Sequence, residues 1–299
     1  MSYYIYVPKG RAAEYAPLAL NLFNGCPHRC AYCYVKLRFG GKDEPRPRVD
    51  LNKLRHELSK WPVNDRRRTL PIMLSFMCDP YPKSIPDYRD YVGDVLQILL
   101  GEGLHLRILS KSGTYGLAHL NHILAEHGQR VEFGQSITCV DDNLRDAIEP
   151  GAASHLSRVA ALQQAHEAGL STFISLEPVI TVHAIANWLM RLKTNSPSFI
   201  DRINIGGPPN YWPVETRPEV CFAEMKTASG VQRITMNWAR VAPDSTDPFM
   251  FASLVLAAKS LGVPVGLKRD AFDLLRSGAH FPICTEAVVG CERLWETPK

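Results

Sequence analysis

The sequence predicts an α/β protein built as a partial (β/α)6 barrel, and three observations carry that expectation. Apolar, β-rich runs alternate with segments of helical period, the pattern of stacked βα units around a parallel sheet. Strands are expected near residues 18–23, 71–77, 104–110, 131–138, 172–177 and 202–205, with helices near 50–58, 88–100, 116–127, 154–168 and 182–192 between them. Each strand run ends in polar or glycine residues, as the mouth of such a barrel requires. Six βα steps suit an open barrel rather than a closed eightfold one.

Taken in order, the strand ends carry the chemistry. After the first run comes Cys26-Pro27-His28-Arg29-Cys30-Ala31-Tyr32-Cys33-Tyr34. Three thiolates at C-x3-C-x2-C spacing can each hold one iron of a [4Fe–4S] cube and leave the fourth iron open to a small molecule. A zinc knuckle is the competing reading, but zinc motifs usually come as two C-x2-C pairs. The second run leads into Met77-Cys78-Asp79-Pro80-Tyr81, the third into Ser110-Lys111-Ser112, and the fourth carries Gln135-Ser136-Ile137-Thr138. The fifth ends Ser175-Leu176-Glu177-Pro178 and the sixth Asn204-Ile205-Gly206-Gly207. Ser154 reads as a helix N-cap and Gly169 as a helix end. Beyond Gly207 the pattern loosens into a loop at 208–213, a helix near 247–261 and a short strand at 264–267. Residues 1–207 are therefore taken as the barrel and 208–299 as a C-terminal extension packed on it.

Composition narrows the class. The chain has 299 residues, 45% hydrophobic and 21% charged, enough for a full core. No apolar run reaches the roughly 18 residues of a membrane span. Residues 1–11 lack the pattern of an export signal, and eight cysteines without one suggest metal-binding thiols in the cytoplasm rather than disulfides. Cys139, Cys221, Cys284 and Cys291 raise the question of a second cluster, although scattered cysteines are more often small buried hydrophobes. Trp212 and Trp238 could stack a base or cap the core. Net charge is +4, yet residues 36–68 hold eleven Lys/Arg against five Asp/Glu. Such a basic segment could meet nucleic acid phosphates or an acidic electron donor, or simply be a solvated face.

Together these residues resemble the spore photoproduct lyase-like group of the radical SAM superfamily. The likeness runs from about Leu18 to Pro178. Its marks are the cysteine motif, Asp79-Pro80-Tyr81, Ile108-Leu109-Ser110-Lys111-Ser112, Ser136-Ile137-Thr138 and Glu149-Pro150-Gly151. The resemblance implies that Cys26, Cys30 and Cys33 bind a [4Fe–4S] cluster whose open iron takes S-adenosylmethionine. It implies cofactor contacts from Tyr32 (adenine), Lys111 (carboxylate), Asp79 (ammonium) and Ser136, with Glu177 and Asn204 also expected to contribute. Cys78 and Tyr34 stand near the positions of the hydrogen-returning cysteine and tyrosine. An electron donor such as flavodoxin or ferredoxin would reduce the cluster, and reductive cleavage would give a 5′-deoxyadenosyl radical that takes hydrogen from a substrate. A nucleic acid or nucleotide substrate, as in DNA repair by the lyases, is the first expectation. A small metabolite or peptide is the second, and a non-enzymatic iron–sulfur or zinc protein the third. The Gly206-Gly207 turn and the tail beyond it depart from the lyase pattern, which leaves the substrate open.

Overall fold

A computed structural model describes residues 3–35, 44–82, 88–118, 126–194, 199–207, 247–279 and 282–296, and the backbone of 221–227 and 230–236. Among these residues one nine-stranded sheet carries the fold. Its order is β1 (Ile5–Tyr6), β2 (Leu18–Leu20), β5 (Pro71–Leu74), β6 (His105–Ser110), β7 (Val131–Ser136), β8 (Ser171–Leu176), β9 (Arg202–Ile205), β12 (Val265–Leu267) and β13 (Glu292–Arg293). Pairing is parallel from β2 to β13, and only β1 runs antiparallel, on the β2 edge. Two short pairs stand apart: β3 (Phe23–Asn24) with β4 (Arg46–Pro47), and β10 (Cys221–Thr227) with β11 (Gly230–Met236).

The helices are α1 (Leu51–Leu58), α2 (Arg89–Gly101), α3 (Thr114–Ala118), α4 (Asp142–Ile148), α5 (His155–Glu167), α6 (Val182–Thr194), α7 (Pro248–Lys259), α8 (Arg269–Ser277) and α9 (Pro282–Val288). Their starts are chemically marked. Asp50 Oδ1 accepts from Lys53 N at 3.0 Å, and Ser154 Oγ accepts from Ser157 N at 3.2 Å. These caps satisfy backbone donors that no helical carbonyl can reach. Gly169 follows α5 at φ 81°, a conformation that favours glycine.

Strand alternation sets the two faces of the sheet. Ile72, Leu74, Ile108, Phe133, Ile174, Ile203, Ile205 and Leu267 join the helices in the main core. The opposite face is the barrel interior, where Ala19 and Met73 pack with Leu109. At its closed end Arg107 grips Glu132 with two hydrogen bonds of 2.8 and 2.9 Å, and Arg202 joins at 3.4 Å.

The open architecture expected from the sequence is present, with differences at the edges. The first, second and fourth strands stop at Leu20, Leu74 and Ser136, earlier than the apolar runs suggest. There the chain leaves the ladder for the mouth, and side chains replace ladder partners. Asn21 Oδ1 accepts from Phe76 N and Met77 N at 2.8 and 3.0 Å, and Ser75 Oγ accepts from Leu22 N at 3.1 Å. The strand expected at 264–267 continues the sheet beside β9. Of the helix expected at 116–127, α3 is described and 119–125 fall outside the described residues, as do the loop at 208–213, Trp212 and Trp238.

Candidate active site

The C-terminal ends of the parallel strands surround a cavity of about 550 Å³. Cys26, Cys30, Cys33, Tyr32, Tyr34, Cys78, Asp79, Lys111, Ser136 and Glu177 all line it. Residues from five strand ends thus converge as expected. Asn204 lies below them, 3% exposed on the sheet's inner face.

The cysteine loop is held from two sides. On one side stands Asp79. It accepts from Tyr81 N at 2.8 Å, Ser110 Oγ at 2.9 Å, Lys111 N at 2.7 Å and Ser112 Oγ at 3.1 Å. His28 Nδ1 lies 3.6 Å from Asp79 Oδ2, and His28 Nε2 lies 3.3 Å from Ser112 Oγ. A carboxylate offers about four lone-pair sites. Asp79 thus braces several strand ends at once, and it also lines the cavity, where a cofactor contact was expected. His28, inside the cysteine motif, went unassigned in the sequence because its partners are distant in the chain.

On the other side lies Glu149, fully buried. It accepts from Tyr32 Oη, from Thr138 Oγ1 at 2.9 Å and from Arg158 Nη2. Arg158 also donates to Ser136 O at 2.7 Å and Ala153 O at 3.0 Å. Burial alone would raise the Glu149 carboxyl, but the Arg158 and Lys111 charges and the Tyr32 hydroxyl outweigh it and hold it at about 2. The same segment packs on the cysteine loop. Gly151 N donates to His28 O at 3.1 Å, and Ala31 N donates to Ile148 O at 2.8 Å. A Cβ at Gly151 would stand 2.4 Å from Pro27 O, so that position must be glycine. The Glu-Pro-Gly mark is therefore a clamp on the loop.

The thiols differ in their surroundings. Cys26 is held at about 6, chiefly by a hydrogen bond from Cys78, against burial and with help from His28. Burial and the nearby Glu149 charge push Cys30 well up. Lys111 Nζ lies 5.9 Å from the Tyr32 ring centre. Among the described residues it has no salt-bridge partner. Tyr34 Oη donates to Phe76 O at 2.9 Å. The other described cysteines do not gather: Cys139 packs beside Cys30, and the Cys284 and Cys291 thiols donate to Pro248 O and Ala287 O.

The wall facing the cysteines was only partly visible in the sequence. A 3-10 turn at Gly10–Glu14, between β1 and β2, reaches the start of α8, just after β12. Arg11 Nη1 pairs with Asp270 Oδ2 at 3.0 Å. Tyr15 Oη donates to Glu177 Oε2, which also pairs with Lys268 Nζ. Of these, only Glu177 was expected at a site.

The described part of the basic segment divides: Arg46 and Arg48 stay beside Asn24, just before the cysteine loop, while the rest leaves it. Helix α1 carries the chain back toward the closed end, so Arg66, Arg67 and Arg68 stand just before β5, at the end opposite the mouth. Two of the three serve the fold. Arg67 pairs with Asp65 at 2.6 Å and stacks on Trp61 at 4.1 Å. Arg68 donates to Pro62 O, Glu102 O and Trp61 O at 3.1 Å each. Lys36, Arg38 and Lys42 fall outside the described residues.

No known family description matches the chain. An uncharacterized protein of Mycobacterium tuberculosis is 28% identical over 188 residues, 58% of this chain and 52% of that protein. The chain thus spans about half the length of the curated relatives it matches. Among solved structures, spore photoproduct lyase complexed with dinucleoside spore photoproduct superposes with a TM-score of 0.60 at 16% identity, over 87% of this chain and 78% of that one. A mutant of spore photoproduct lyase gives a TM-score of 0.60 at 16% identity, over 89% and 79%. The chain therefore shares the partial α/β barrel fold of spore photoproduct lyase. Among the described residues no helix is long and apolar enough to cross a membrane.

Proposed function

We propose that the chain is a radical SAM enzyme. The observation that carries this reading is the opening of all three motif thiols, with Tyr32 between them, onto one cavity whose other strand ends supply Lys111 and Ser136. Three thiols at C-x3-C-x2-C spacing on one loop suit a [4Fe–4S] cube, whose irons each take one sulfur. A zinc site usually draws on two C-x2-C pairs, so the residues present fit the cluster better. With S-adenosylmethionine bound, the cluster would supply reductive cleavage to a 5′-deoxyadenosyl radical able to take hydrogen from a substrate.

The chain's own part is to orient and exclude. Cys26, Cys30 and Cys33 hold the metal. Lys111 meets the cofactor carboxylate, Tyr32 borders the adenine with its hydroxyl fixed on Glu149, and Ser136 faces the same space. Cys78 lines the cavity as a candidate hydrogen donor. Tyr34 stands beside it with its hydroxyl on Phe76 O. In this reading 1–207 form the catalytic barrel and 208–299 an extension, and a cytoplasmic flavodoxin or ferredoxin is the electron donor. A nucleic acid substrate loses the support of Arg66–Arg68, which stand at the closed end, and a small molecule gains by comparison.

Anaerobic reconstitution tests the proposal. Wild type should gain iron–sulfur absorbance and form 5′-deoxyadenosine with a reductant, and Cys26→Ala, Cys30→Ala and Cys33→Ala should each lose both. Lys111→Ala should keep its iron and bind S-adenosylmethionine about ten-fold or more weakly, the worth of one charge-assisted hydrogen bond. Full iron and turnover in any cysteine variant would sink the reading.

A further inference from the structure

The cavity has a second half that the proposed cofactor contacts do not use. Tyr15, Tyr34, Met73, Phe76, Met77 and Leu109 all line it. Met73 belongs to a small apolar cluster inside the barrel, apart from the main core, and Tyr15, Phe76 and Leu109 pack against it. Leu109 stands two residues before Lys111, on the same inner side of the sheet, so this half lies deeper than the cofactor contacts. Tyr15, Phe76, Met77 and Leu109 are only half-buried, which leaves apolar surface open to the cavity.

The second observation is how the charges of the cavity are spent. Of the lining residues that face the cysteines, Arg11 pairs with Asp270 at 3.0 Å, and Glu177 pairs with Lys268. Lys9 is exposed to solvent. On the cysteine side Asp79 braces the strand ends, and Lys111 meets the cofactor carboxylate in the reading above. The two hydroxyls of the apolar half are engaged as well: Tyr15 Oη donates to Glu177, and Tyr34 Oη donates to Phe76 O at 2.9 Å. A charged group entering this half would lose its water without meeting an unpaired counter-charge among the described residues.

The lining also has the character of a ring site. Tyr15 and Phe76 stand edge to face, with ring centres 5.6 Å apart at 61°. Aromatic rings favour that arrangement, and a third ring can extend it. Met73 and Met77 add two thioethers, which make favourable contacts with ring edges.

We propose that this half of the cavity binds an uncharged aryl group of a small substrate, which names the substrate class of the enzyme proposed above and rests on that reading. A nucleobase is planar too, but its edge carries donors and acceptors, and the hydroxyls in this half already donate elsewhere.

The test is a ligand-observed NMR titration of the reconstituted protein with S-adenosylmethionine bound and no reductant. The probes are benzyl alcohol, cyclohexylmethanol, benzylammonium chloride, sodium benzoate and thymidine. Benzyl alcohol should bind about ten-fold or more tightly than either ion, and a few-fold more tightly than cyclohexylmethanol or thymidine. Phe76→Ala should weaken benzyl alcohol binding several-fold, while iron content and affinity for S-adenosylmethionine stay at the wild-type level. If Phe76→Ala does not fold, Leu109→Asn reads the same surface, with a similar loss expected. Binding of either ion as tightly as benzyl alcohol, equal or tighter binding of cyclohexylmethanol or thymidine, displacement of S-adenosylmethionine by benzyl alcohol, or unchanged affinity in the variant would each overturn the proposal. The chain itself builds this half of the cavity. Failure of wild type to load a cluster would therefore sink the radical SAM reading alone, and the same titration would then read the aryl site without the cofactor.

Discussion

The two walls of the cavity are built in opposite ways. The cysteine wall comes from one short loop, clamped by Asp79 and Glu149 through hydrogen bonds to nearly every polar group in reach. The facing wall is assembled from Arg11, Tyr15, Glu177, Lys268 and Asp270, which meet only in three dimensions, with Glu14 Oε2 on the same turn lacking a hydrogen-bond partner. A wall satisfied by its own protein is suited to holding fixed machinery in place. A wall left partly unsatisfied is suited to receiving something from outside.

If that contrast is right, the largest losses of stability should come from the satisfied side. Arg158→Ala would leave Glu149 buried and unpaired, and we expect it to cost about 3–5 kcal/mol in urea unfolding. The same carboxyl makes stability depend on pH. Its folded value is about 2 against an ordinary 4.5, so its contribution is complete above 4.5 and is lost as pH falls toward 2. Glu149→Gln should flatten that part of the stability–pH curve; an unchanged slope would show that Glu149 is not the group responsible.

Asp79→Asn comes next. It removes half the acceptors from four buried or half-buried donors, and should cost about 1.5–3 kcal/mol. Iron content after reconstitution should fall with it, because the cysteine loop loses its brace through His28. Normal iron with lowered stability would separate the brace from the metal site.

On the facing wall the expected effect is steric. Gly206→Ala should cost about 1–3 kcal/mol by overpacking against Glu177, measured by thermal unfolding. Its iron content should match wild type, since the two walls share no hydrogen bond among those described.

The smallest effect should come from the closed end. Arg68→Ala should lower stability by about 1 kcal/mol through its lost carbonyl contacts. Affinity for S-adenosylmethionine should not change, because the residue stands at the other end of β5. A loss of oligonucleotide binding in this variant would restore the nucleic acid role of the segment.

The same contrast explains what could be read from the sequence. The cysteine loop, Asp-Pro-Tyr, Ser-Lys-Ser and Glu-Pro-Gly are local patterns, and each falls at a strand end or clamps the loop. The roles behind them were less legible. The bracing role of Asp79 could not be read beside its expected cofactor contact, since its partners lie up to 51 positions away (His28). Lys268 and Asp270 carried no signal, because nothing local distinguishes them from surface charges near a helix start. The basic run at 36–68 could not be read as dividing: Arg46 and Arg48 stay by Asn24, whereas α1 carries Arg66, Arg67 and Arg68 to the closed end.

The turn at Gly10–Glu14 has a consequence in time. It ties the chain beside β2 to the chain after β12, so Arg11 and Tyr15 meet Asp270 and Lys268 only once residue 270 has been made. At about 5–20 residues per second, synthesis separates these partners by tens of seconds or so. For the later part of that interval, once residue 149 has been made, the segments bearing the three thiols, Asp79 and Glu149 are all out, while the seam across the mouth cannot yet be drawn shut. The nascent protein thus has a period in which its cysteine pocket is complete in sequence but still open on one side.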